Sequence, residues 1–79
     1  MKWLEVESSA ICGLGYDPAQ RRLGIEFQEK RQVYVYYEVP NSEFKTFLAA
    51  ESKGRYLTLV FLPKNYRYTG PYRSRSQAA

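Results

Sequence analysis

Histidine is absent from the chain, and cysteine, tryptophan and methionine occur once each. Without histidine the commonest general base and metal ligand is missing. The lone cysteine, Cys12, can neither close an internal disulfide nor assemble a zinc site, and no imidazole is present to activate it. It reads as a small buried residue of an early strand. Apolar runs are short. None approaches the roughly 20 residues of a membrane span, and Glu5 and Glu7 interrupt MKWLEVESS where a signal peptide would be apolar. Ser8-Ser9 and Ser52-Lys53 are adjacent pairs, not catalytic spacings, and serines so placed commonly cap backbone. GLGYDP lacks the later Gly-Lys-Ser/Thr of a phosphate loop. The expectation is a soluble, cytoplasmic, non-catalytic module with no cofactor, no metal and no membrane contact.

What is present is tyrosine and unevenly placed charge. Eight of the 79 residues are Tyr, beside four Phe, and the net charge is +4. Residues 1–52 hold six Lys/Arg against eight Asp/Glu, a net of −2; residues 53–79 hold six cations and no acid, a net of +6. Such an asymmetry points to an anionic partner for the C-terminal third. A chain of this length is one domain and buries only about 60% of its unfolded surface, which favours a binding module over a deep catalytic cavity.

Hydrophobic period places the elements. SSAICGLGYD (8–17) reads as a first strand and DPAQ (17–20) as a turn. RLGIEFQ (22–28) alternates Leu23, Ile25 and Phe27 with polar residues and glycine, the pattern of a half-buried strand. EKR (29–31) is a turn, and QVYVYYEVP (32–40) returns as a strand. Asn41 or Ser42 is placed to cap a helix carrying Phe44, Phe47 and Leu48 on one stripe, with Gly54 as its stop. RYLTLVFLP (55–63) reads as a further strand ended by Pro63. The expected fold is α+β: a small antiparallel sheet of about four strands, in the order β-β-β-α-β, with one helix packed on it. The domain is expected to span residues 1–68, followed by a basic, flexible tail, 69–79.

Tyr34 and Tyr36 share one face of their strand, but the parity of the preceding loop decides which face. An even loop pairs Ile25 with Tyr34 and Leu23 with Tyr36; an odd loop sends both tyrosines to the other side.

The same segments, VESSAICGLGYD, LGIEF, YVYYEVP and FLAAESKGRYL, resemble the KTSC domain. This short bacterial domain stands alone or is fused to the C-terminal end of some lysyl-tRNA synthetases. The marks are Ser8 and Ser9; Gly15, Tyr16 and Asp17; Tyr34 and Tyr36; Val39 and Pro40; and Ala50, Ser52, Gly54 and Tyr56. They cover residues 6 to about 68. Glu29-Lys30-Arg31 replaces a turn that is often glycine-containing in the family, and Tyr56-Leu57-Thr58 departs from its usual Phe-Asn. RNA binding is a suggestion made for the family, and the resemblance implies nothing firmer about activity.

Cations interleaved with aromatics remain as the candidate site. Lys53, Arg55, Lys64, Arg67, Arg73 and Arg75 are placed to contact phosphates, and Tyr66 and Tyr68 to stack on bases, joined by Tyr34 and Tyr36 if these face outward. Cations displace counterions from phosphates, while aromatic planes stack on unpaired bases. The expected partner is RNA or single-stranded nucleic acid. The alternative, from another class, is a protein-interaction module: an exposed sheet edge that adds a partner's strand or pairs with itself in a homodimer.

Overall fold

The computed structural model describes residues 1–73. It holds an antiparallel sheet with strands in sequence order: β1 (Lys2–Glu5), β2 (Ile11–Asp17), β3 (Arg22–Phe27), β4 (Val33–Tyr36) and β5 (Tyr68–Tyr72). A 3-10 turn, Glu29–Arg31, joins β3 to β4. Between β4 and β5 lie α1 (Asn41–Ala49) and α2 (Lys53–Tyr56), and α2 widens into a π turn over Leu57–Phe61 and tightens again over Leu62–Lys64. The α+β class is as expected, with five strands rather than about four.

Side-chain fasteners set the joints. The Asp17 carboxylate accepts the backbone N–H groups of Ala19 and Gln20, closing the β2–β3 turn. The Tyr16 hydroxyl donates to the Val39 carbonyl at 2.5 Å, and the Val39 N–H donates to the Arg21 carbonyl, so the chain entering α1 is tied to that turn. Pro40, rather than Asn41 or Ser42, occupies the N-cap position. Its missing N–H costs nothing where no intrahelical partner exists.

The β3–β4 register pairs Ile25 with Tyr34 and Leu23 with Tyr36. This is the even-loop arrangement, and it sends both tyrosines to the face that the helices cover. Ile11, Leu14, Leu23, Ile25, Tyr36, Val39, Phe47, Leu57 and Phe61 form the core there. Phe44 extends it by stacking on Tyr16, ring centres 4.8 Å apart.

Three expectations are corrected. Residues 55–63 are helical: Leu57 and Phe61, four apart, are buried, whereas Leu59, midway between them, is 66% exposed. A short apolar run with β-branched Thr58 and Val60 fits either period, and packing over Tyr36 decides for the helix. The first helix stops at Ala49 rather than at Gly54. Ser52 then caps α2 by accepting the Arg55 N–H, and Gly54 lies in its first turn, where a Cβ would come 3.2 Å from that of Ala10. Finally, the presumed tail begins with a strand, since Tyr68–Tyr72 pairs with β4. Residues 74–79 of that tail lie outside the described residues.

The second face of the sheet carries Trp3 over Gly15 and Gly24. A Cβ on Gly15 would sit 2.6 Å from the indole, and one on Gly24 2.5 Å from its far edge and 3.0 Å from the Met1 sulfur. Gly24→Ala must therefore displace the ring or the edge strand β1, at an expected cost of about 1–3 kcal/mol. The one tryptophan reports this directly: its emission should shift to the red in the variant, and unchanged emission and stability would refute the packing.

Candidate binding groove

A groove of about 810 Å³ opens on the helix-covered face, between β3, β4 and β5 on one side and the end of the α2 region on the other. Its walls are aromatic. β3 supplies Phe27, β4 Tyr34 and Tyr36, β5 Tyr68, the π turn Phe61, and the loop before β5 Tyr66. Successive ring pairs form a chain: Phe27–Tyr34 at 5.5 Å, Tyr34–Tyr68 at 5.7 Å, Tyr68–Tyr36 at 5.5 Å, Tyr36–Phe61 at 4.9 Å and Phe61–Tyr66 at 5.2 Å. Tyr36 is the floor, 6% exposed, whereas Tyr68 stands at the mouth, 56% exposed. Tyr34 and Tyr66 are half-buried. Ser9, Glu29, Lys30, Gln32 and Asn65 bring polar groups to the lining, with one charge of each sign.

Behind the Tyr66 wall lies a buried carboxylate. Glu43, in the first turn of α1, accepts hydrogen bonds from Tyr66 at 3.0 Å, from the Lys64 ammonium at 2.5 Å and from the Tyr56 hydroxyl. Burial pushes its carboxyl up, but the bonds from Lys64, Tyr56 and Tyr66 outweigh burial and hold it below the ordinary value. This cluster joins α1 to α2 and to the groove wall.

All four tyrosines singled out in the sequence thus converge on one groove, where Tyr68 is exposed and Tyr34 half-buried. Tyr36 is a core residue, so it lines the floor without facing outward. Tyr66 turns its hydroxyl inward to Glu43. The cations do not follow. Lys64 is paired with Glu43, and Lys53 donates to the Ala50 carbonyl near the end of α1. Arg55 is exposed on α2. Arg67 stacks over Tyr37, 5.0 Å from its centroid. Tyr68 pairs with Tyr36, so the preceding Arg67 points to the opposite side of the sheet. Arg73 is exposed just past β5, and Arg75 lies outside the described residues.

Sequence reasoning missed Phe27, Phe61 and Lys30. Phe27 was discoverable, because it has the parity of Ile25 and hence of Tyr34. Phe61 was hidden by the strand assignment of 55–63.

The groove makes a titration prediction. Burial first, then the neighbouring Tyr68 and Tyr34, push the Tyr36 hydroxyl up to about 12; burial, then Glu43, does the same for Tyr56. The folded state holds these protons more tightly than the unfolded chain, where tyrosine ionises near 10. Their contribution to stability is therefore complete below pH ~10 and is lost as pH rises toward ~12. Phenolate absorbance followed against pH should show a late wave that coincides with a change in Trp3 emission. A single wave centred near pH ~10 would contradict the burial.

The KTSC domain family matches residues 7–68. The chain belongs to the KTSC domain family. An uncharacterised protein of Stutzerimonas stutzeri is 41% identical to this KTSC domain over 68 residues, covering 86% of the chain and 94% of the relative. A protein of Tsukamurella paurometabola is 48% identical over 59 residues, covering 75% and 87% respectively. Among solved structures, a KTSC domain protein from Yersinia pestis superposes with a TM-score of 0.74 at 33% identity, over 86% of this chain and 93% of that one. Most residues that mark the resemblance are joints in this KTSC domain: Tyr16, Asp17, Val39, Pro40, Ser52 and Gly54 close turns and caps. Ser8 does the same ahead of β2 by accepting the Ala10 N–H. Ser9, Tyr34 and Tyr36 are the marks that reach the groove.

Proposed function

We propose that this KTSC domain is a non-catalytic module that binds RNA or another single-stranded nucleic acid weakly, seating an unpaired base against Tyr34 and Tyr68. The observation that carries this reading is the convergence of four tyrosines and two phenylalanines on one open groove. Its volume lies within the range of roughly 300–1,000 Å³ typical of ligand sites. Tyrosine suits a surface with one dry and one wet side. The net charge of +4 and the acid-free C-terminal third favour an anionic chain over a neutral ligand, while at the groove itself Glu29 offsets Lys30. A cytoplasmic location accords with this, and no helix among the described residues is long and apolar enough to cross a membrane.

The test is fluorescence anisotropy of a labelled mixed-sequence RNA single strand against the full chain. Base stacking contributes about 1–3 kcal/mol per base, so Tyr34→Ala and Tyr68→Ala should each weaken binding by roughly 5-fold to 150-fold. Six phosphate contacts would give a log–log salt slope of about −4; with Lys64 paired to Glu43 and Arg67 stacked on Tyr37, at most four of those cations remain and a slope no steeper than about −3 is expected. Binding unaffected by either substitution would end this reading. The alternative, strand addition at the sheet edge, has less support at β5, where Pro71 lacks an N–H and the register shifts between Val33 and Val35. A homodimer in dilute solution would revive it.

A further inference from the structure

The hydroxyls of the eight tyrosines divide into two groups. Those of Tyr16, Tyr37, Tyr56, Tyr66 and Tyr72 bond to the Val39 carbonyl, to the Thr69 hydroxyl or to the Glu43 carboxylate. Those of Tyr34, Tyr36 and Tyr68 have no hydrogen-bond partner among the described residues, and all three side chains line the groove. Tyr68 is exposed and Tyr34 half-buried, so contact with water accounts for their hydroxyls.

Tyr36 is different. It is 6% exposed and lies on the floor beside Phe61, the other buried residue of the lining. Every enclosed side-chain nitrogen or oxygen among the described residues has a hydrogen-bond partner, so the Tyr36 oxygen, which has none, is not enclosed. It opens on the groove. A phenol has one hydrogen to donate as well as lone pairs to accept. An under-used acceptor is tolerated better than an orphaned donor, so what the floor lacks is an acceptor for the Tyr36 hydrogen. The rings packed on Tyr36, those of Phe61 and Tyr68 at 4.9 and 5.5 Å between centres, do not supply one. Burial, with Tyr68 and Tyr34 adding to it, pushes the hydroxyl up to about 12, and at neutral pH it keeps its hydrogen.

A base whose sugar and phosphates stay at the mouth enters with the edge opposite its glycosidic bond leading. There uracil and guanine carry a carbonyl oxygen, where cytosine and adenine carry an amino group. The carbonyl accepts the Tyr36 hydrogen. An amino group brings hydrogens of its own and leaves that donor without a partner.

We propose that the Tyr36 hydroxyl makes the groove selective for bases with a leading carbonyl, uracil and guanine, over cytosine and adenine. The proposal rests on the groove being a base-stacking site and adds the group that chooses among bases.

The test compares labelled single-stranded oligomers of uridine and of cytidine, equal in length, by fluorescence anisotropy against the full chain. The two share sugar and phosphate and differ on the leading edge alone. One hydrogen bond gained should make the uridine oligomer bind roughly 3-fold to 10-fold tighter. Tyr36→Phe removes the oxygen and keeps the ring. It should weaken the uridine oligomer by that factor, leave the cytidine oligomer within about 2-fold and so erase the preference. The hydroxyl bonds to nothing in the described protein, so urea unfolding followed by Trp3 emission should show no loss of stability in the variant. No preference for uridine in the parent, equal weakening of both oligomers in Tyr36→Phe, weakening of neither, or a loss of stability would each overturn the proposal. Tyr68→Ala separates the two levels. If it weakens both oligomers while Tyr36→Phe leaves the preference intact, the stacking groove stands and only the selection falls. If Tyr68→Ala weakens neither, the groove reading fails, and this inference with it.

Discussion

Phe61→Ala is expected to destabilise the domain by about 3–5 kcal/mol, the usual cost of emptying a buried phenylalanine site. The side chain is 1% exposed and touches the rings of Tyr36, Phe47 and Tyr66, at 4.9, 5.4 and 5.2 Å between centres. It belongs to the core and to the groove wall at once, so the void left behind joins the two. A domain of this size has about 4–12 kcal/mol of total stability, so such a loss removes a large share of it and at the low end of the range leaves the domain about half-unfolded. Leu59→Ala, two residues away and 66% exposed, should change stability by no more than about 0.5 kcal/mol. The pair separates helix from strand in the segment 55–63. A strand would put Leu57, Leu59 and Phe61 on one face and make all three costly. Urea unfolding followed by Trp3 emission gives the comparison, and equal losses at 59 and 61 would refute the helical phase.

The physical source of the misread segment is visible in the same residues. LTLVF is apolar without interruption, so it carries neither a clean two-residue nor a clean 3.6-residue period, and Thr58 and Val60 bias it toward a strand. Nothing local reveals that the sheet needs a second helix above Tyr36. β2, β3 and β4 were legible because alternation and turn residues agree there, down to the Asp17 turn. β1 was not, since Trp3 and Leu4 put apolar groups on both of its faces. β5 was not, since its sequence YTGPY reads as a turn, and only pairing with β4 makes it a strand.

The candidate site was half legible for a related reason. Tyrosines spaced by two converge because a strand sends alternate residues to one side. The same alternation separates Arg67 from Tyr66 and Tyr68, so a segment that mixes cations and aromatics in sequence divides them between two surfaces in space. Arg22, from the net-negative part of the chain, comes to share the Tyr37 ring with Arg67 only through the sheet. Lys64 finds its acid 21 positions away in sequence, in the first turn of α1.

That acid carries the second large effect. Glu43→Ala should cost about 2–4 kcal/mol, somewhat under the 3–5 of a fully buried broken pair, because the Lys64 side chain is 46% exposed and regains water. The hydroxyls of Tyr56 and Tyr66 lose their shared acceptor as well. Glu43→Gln keeps the shape, but its one oxygen can accept from Lys64 and Tyr66 only with its NH2 turned toward the Tyr56 hydroxyl, and the charge that pairs with the ammonium is gone, so about 2 kcal/mol is expected to be lost. The pH dependence distinguishes a charge effect from a packing effect. Although burial raises the Glu43 carboxyl, its three hydrogen-bond donors lower it further, so the folded state releases this proton more readily than the unfolded chain. The unfolded chain takes the proton up first, near the ordinary glutamate value of about 4.3. Stability owed to this shift is present in full above that value and drains away as pH falls through it toward the lower folded value. The difference in unfolding free energy between the parent and Glu43→Gln should therefore be largest near neutrality and shrink with acidification. Unfolding curves at a series of pH values measure it. A difference that stays constant down to pH ~3 would mean that the glutamine merely packs badly, and that Glu43 does not hold α1 and the groove wall together through its charge.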